Sequence, residues 1–130
     1  MTDDDTGASF FLIDDIPWPE ERPGATAPKA LVEEAKRSGA RRKYLAQGEA
    51  GFHSQYSEFP PGFTVPMHSH DHDELIVILG GDCTMLDDGP TLKTHDSMVL
   101  RGGHEYGFTA GRNGMSFLTI RTGKAQTKLV

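Results

Sequence analysis

The chain has 130 residues, enough for one domain with one hydrophobic core. A formal net charge of −6 argues against a nucleic-acid partner, which needs clustered Lys and Arg. The longest apolar run, residues 75–79, falls far short of the roughly 18 residues that span a bilayer, so no membrane partner is expected.

The N-terminus opens Met1-Thr2-Asp3-Asp4-Asp5, with no basic segment leading into an apolar one. No secretory signal is read there, and a cytoplasmic location is the expectation. The single cysteine, Cys83, cannot staple the fold to itself and reads as a half-buried barrel residue that packs and does not react. The one basic cluster, Lys36-Arg37 with Arg41-Arg42-Lys43, reads as a solvated face.

Taken in chain order, residues 1–9 read as a disordered acidic tail, and 10–13 as an edge strand. Residues 14–28 hold four prolines and read as extended coil. Residues 28–36 carry good helix formers, with Pro28 in the first turn and Gly39 at the stop. From residue 41 a β pattern takes over. Residues 41–48 and 52–59 alternate as paired strands, with His53, Gln55, Ser57 and Phe59 on one face. Strands at 63–68, 74–79, 82–86, 91–94, 96–101, 105–109 and 115–121 follow, giving roughly nine in all. Asp87-Asp88-Gly89 reads as a hairpin turn, with the glycine supplying positive φ. The 15 glycines and 8 prolines punctuate these runs at short intervals, as in an all-β sandwich or barrel. The organisation is an N-terminal extension at 1–40, a barrel at 41–123 and a tail at 124–130.

Chemistry concentrates in Met67-His68-Ser69-His70-Asp71-His72-Asp73-Glu74. His68 and His70 lie two apart at a strand end, so they share a face with backbones roughly 6–7 Å apart. Two imidazoles so placed converge on one ion at about 2.1 Å each. Glu74 follows across a short turn and supplies an oxygen. Two imidazoles and a carboxylate with open positions suit Fe(II), Mn(II), Ni(II), Zn(II) or Cu(II). The competing reading is a solvated loop of histidines and acids, and it fits His72 best, which falls in the turn between His70 and Glu74.

The flanks carry more. Gly62, five residues, His68-Ser69-His70, three residues, Glu74, six residues and Gly81 resemble the first motif of the cupin superfamily at every fixed position. The second cupin motif is met in part: Asp96 and Gly103 are in place, Arg101 stands where a proline is usual, and Tyr106 stands where a fourth histidine is usual. The resemblance implies a double-stranded β-helix, a jelly-roll barrel with the metal at its mouth, and a homodimer formed through outer strands. The family spans dioxygenases, isomerases, decarboxylases and binding proteins, so the fold does not fix the activity.

Three arrangements remain open at the fourth position. His104 completes the site after a local shift, since it shares a strand face with Tyr106. Alternatively Tyr106 fills the place, as a ligand or as a hydrogen-bond donor to bound water. The third is a site of three protein ligands. The expected ligand set is His68, His70 and Glu74, with His104 as a fourth candidate and Tyr106 beside them. Three functions follow: a metal-dependent dioxygenase acting on a small organic substrate, with Fe(II) as its metal; a non-catalytic binding or sensing module; and a non-redox isomerase or lyase.

Overall fold

The computed structural model describes residues 2–3, 7–19, 29–123 and 127–130. The acidic start departs from expectation, because β1 (Thr2–Asp3) pairs antiparallel with β2 (Ser9–Phe10). The expected edge strand at 10–13 is shortened to that pairing and runs on into a 3-10 turn at Ile13–Asp15. Pro28 and the coil at 20–28 lie outside the described residues.

Helix α1 (Lys29–Arg37) forms where good helix formers run without a break. Lys36 and Arg37 sit in its last turn, where the macrodipole favours cations. It stops at Gly39, whose φ of +94° suits a left-handed cap. Gly39 N–H donates to Lys36 O, and Ala40 N–H donates back to Ala35 O, which satisfies two terminal carbonyls.

The barrel is built from β3 (Arg41–Gln47), β4 (His53–Phe59), β5 (Thr64–His70), β6 (Glu74–Met85), β7 (Thr91–Lys93), β8 (Ser97–Leu100), β9 (Tyr106–Arg121) and β10 (Thr127–Leu129). The pairing order runs β10-β5-β9-β4-β3, while β6 pairs with β7, β8 and β9, all antiparallel. This all-β curled sheet is the jelly-roll class expected.

Two pairs of expected strands fuse. The runs at 74–79 and 82–86 are one strand, β6, and those at 105–109 and 115–121 are one strand, β9. The glycines read as breaks are bends within them. Register shifts fall between Ile78 and Gly80 and between Gly81 and Cys83, as bulges that curl a sheet do. At Gly81, φ is +68°, and an added Cβ would stand 2.1 Å from Gly114 O. Only glycine fits where the two long strands bend against each other. The hairpin at 87–89 also works differently from expectation. Asp87 and Asp88 both take φ of 59°, the paired positive φ of a type I′ turn, which Asp tolerates.

Cross-strand register stacks the inner face in rows. Glu74, Arg121 and His53 make the row at the mouth. Ile76, Thr119 and Gln55 lie beneath, then Ile78, Phe117 and Ser57, then Met115 and Phe59. The floor is aromatic: Phe59 packs on Phe63, Phe117 and Phe108 at ring separations of 4.7, 5.1 and 6.1 Å. Cys83 is fully buried in this core, deeper than the half-buried position expected, and burial followed by the charge of Asp82 pushes its thiol up to about 11.

The extension covers the outside of β3 and β4. Trp18 packs near Tyr56 and beneath the Arg41 guanidinium, 3.9 Å from the ring centroid, and Lys43 Nζ donates to Ile13 O at 2.8 Å. The stretch read as a tail also contributes, since 127–129 form β10 against β5. Residues 124–126 of that tail lie outside the described residues.

Candidate metal centre

Strand alternation delivers the site. His68 and His70 end β5 on its inner side, and Glu74 opens β6 after the turn at 71–73. His68 Nε2 and His70 Nε2 face each other at 3.1 Å. Two nitrogens bound at right angles to one ion, each about 2.1 Å from it, stand about 3.0 Å apart. The imidazoles are therefore already spaced for a shared ion. Their outer nitrogens are held as well. His68 Nδ1–H donates to Pro66 O at 2.8 Å, which leaves Nε2 with its lone pair inward in the neutral ring. His70 Nδ1 bonds Thr127 Oγ1 at 3.2 Å.

Glu74 is the most enclosed of the three, with 1% of its side chain exposed. Tyr106 O–H donates to Glu74 Oε1, and Arg121 Nε donates to Oε2 at 2.8 Å. Glu74 Oε1 stands 3.7 Å from His70 Nε2. Among the described residues no three His, Cys, Asp or Glu side chains already enclose an ion-sized point. Glu74 leans to Tyr106 and Arg121, and seating an ion needs a small turn of its carboxylate. The donor set still fits a divalent metal. Each carboxylate oxygen has two lone pairs, so an outer hydrogen bond and a metal bond can share one oxygen.

Tyr106 sits opposite His68 on the β5–β9 ladder, with ring centroids 4.4 Å apart. Burial, then the charge and hydrogen bond of Glu74, push its phenol well above the ordinary tyrosine range, against the opposing charges of Arg121 and Arg42. Tyr106 is thus a neutral donor to the carboxylate. His104 lies exposed in the turn before β9. The shared-face argument for it needs a regular strand through 104–106, and the strand begins at Tyr106. His72 is half-buried in the turn between β5 and β6, bonded to Asp71 Oδ1 at 2.8 Å. Glu105 and His95 are exposed.

Two residues of the centre escaped the sequence reading. Arg121 ends β9, and the alternation Phe117, Thr119, Arg121 carried the signal that it faces inward. Thr127 had no such signal, because it lay in an assumed tail. Arg121 matters energetically: a buried carboxylate stripped of a guanidinium partner costs on the order of 3–5 kcal/mol.

No protein-family model matches the chain, and no curated protein matches it. Solved structures do. The polyketide cyclase RemF from Streptomyces resistomycificus is 18% identical with a TM-score of 0.70, over 95% of this chain and 85% of that one. KdgF from Halomonas sp. is 18% identical with a TM-score of 0.63, over 88% and 94%. An RmlC-like cupin from Shewanella frigidimarina is 15% identical with a TM-score of 0.65, over 88% and 89%. The chain shares the fold of these cupin-like structures, and the spacing of Gly62, His68, His70, Glu74 and Gly81 resembles the first cupin motif.

Proposed function

We propose that the chain is a metal-dependent enzyme of the dioxygenase type, acting on a small organic substrate, with a divalent metal on His68, His70 and Glu74. The observation that carries this is the pair of Nε2 atoms 3.1 Å apart, each ring held from behind, beside a carboxylate. Two histidines and one carboxylate with open positions are the ligand set of non-haem Fe(II) oxygenases. When bound, such a metal supplies a redox and Lewis-acid centre that orients substrate.

The chain's own residues do the rest. Pro66 O and Thr127 Oγ1 fix the two rings. Tyr106 and Arg121 hold the two oxygens of Glu74, so the carboxylate has one orientation to give. The protonated Tyr106 phenol is a donor at the inner wall of the site. Ile76, Ile78, Phe108 and Phe117 keep water from its floor.

Protein loaded anaerobically with Fe(II) and mixed with enols, catechols and hydroxy acids tests this by oxygen uptake. Uptake that needs one substrate and vanishes in His70→Ala supports it. A loaded protein that consumes no oxygen with any of them contradicts it. A second reading draws on the Tyr106–Glu74 contact, which joins a phenol and a carboxylate around one proton. It is a non-redox isomerase or lyase, and it requires turnover with Zn(II) or Mn(II) in the absence of oxygen.

A further inference from the structure

Beneath the mouth row of Glu74, Arg121 and His53, the barrel wall divides by polarity. On β6 the next two inward positions are Ile76 and Ile78. On β4 and β9 the same rows hold Gln55, Thr119 and, one row deeper, Ser57. These three are buried, with 8%, 2% and 1% of their surface exposed. Among the described residues, Ser57 Oγ is fully enclosed without a partner, and the Gln55 amide and the Thr119 hydroxyl stand in the row above it on the same inner stripe. Buried polar groups are nearly always hydrogen-bonded, and each exception costs stability. Such an exception at Ser57, with an amide and a second hydroxyl above it on one inner stripe continuous with the candidate metal ligands, points to a guest that supplies the missing partner.

We propose that Gln55, Thr119 and Ser57 form a hydrogen-bonding subsite for the ligand of the metal centre, and that this ligand is a short polyhydroxylated organic acid. The inference rests on the metal reading above. An amide and two hydroxyls both donate and accept, as a ligand hydroxyl does. The stripe carries no charge, so the oxygens it reads are neutral. Arg121 and the metal ligands stand at the mouth, so the acid group stays there. Successive rows are about 6–7 Å apart along a strand, which a chain of about four to six carbons spans from mouth to stripe. The apolar side of β6 then packs against the carbon edge of that chain.

The test is calorimetric binding of gluconate and hexanoate to the Zn(II)-loaded protein. Both are six-carbon monoanions and differ in their hydroxyls. Gluconate is expected to bind at least about tenfold more tightly, since buried polar groups reject a partner lacking theirs. Gln55→Leu and Thr119→Val are expected to melt at or above the wild-type temperature and to bind the two acids about equally. Ser57→Ala is expected to reduce the preference while raising the melting temperature, as removal of an orphaned hydroxyl does. Equal binding by the wild type, no binding of either acid, or an unchanged preference in both Gln55→Leu and Thr119→Val overturns the subsite. Metal content measured on the same samples keeps the two ideas apart. A hydroxyl preference in wild-type protein that takes up no Zn(II) keeps the subsite and sinks the metal reading; Zn(II) uptake without the preference does the reverse.

Discussion

Tyr106 holds a proton that folding favours. Its phenol is pushed well above 10.0 by burial and by Glu74, so the folded chain binds that proton more tightly than the unfolded chain does. The resulting stabilisation is fully present below about pH 10 and is lost as pH rises from there toward the folded value. Tyr106→Phe is expected to weaken this alkaline loss of stability, measured by denaturant titration across pH. Its ultraviolet difference from the wild type is expected to show no phenolate at the ordinary tyrosine midpoint. A phenolate signal from Tyr106 there would contradict the buried hydrogen bond. At neutral pH the same substitution removes one donor from an enclosed carboxylate and is expected to cost about 1–3 kcal/mol.

At the scale of elements, the ligand strand β5 depends on the strand beside it. Thr127 stands opposite His70 in the β10–β5 ladder and bonds its outer nitrogen. Outer partners of metal ligands are commonly worth about 10–100-fold in metal affinity. Thr127→Val is expected to weaken metal binding by about tenfold while the fold stays intact by circular dichroism. Unchanged affinity would show that β10 does not steady the site. The bend between β6 and β9 makes a separate demand. Gly81→Ala forces a Cβ against Gly114 O at a positive φ. The variant is expected to lose about 3 kcal/mol in chemical unfolding, because backbone on both sides leaves nothing to move aside cheaply.

At the scale of the whole molecule, what was legible followed from short-range pattern. His68, His70 and Glu74 lie within one stretch of chain, and strand parity put the two histidines on one face. The alternation of 52–59 likewise put Gln55, Ser57 and Phe59 together on one face, and the structure shows that this face is the buried one. Arg121 is different. It reaches Glu74 from 47 residues away, through a β6–β9 register that no local pattern encodes. The fused strands were missed because glycine and positive φ mark a bend as well as a turn, and only pairing partners tell them apart. The two-stranded start and β10 were missed because their runs of two and three residues are too short for periodicity to show. The account of the molecule turns on the centre at its mouth. Metal analysis of the protein as purified, with His68→Ala beside it, tests that centre most directly. About one divalent ion per wild-type chain and nearly none in His68→Ala is the expected result. A wild-type protein that takes up no divalent ion even when supplied, or a His68→Ala protein that holds as much, would contradict it.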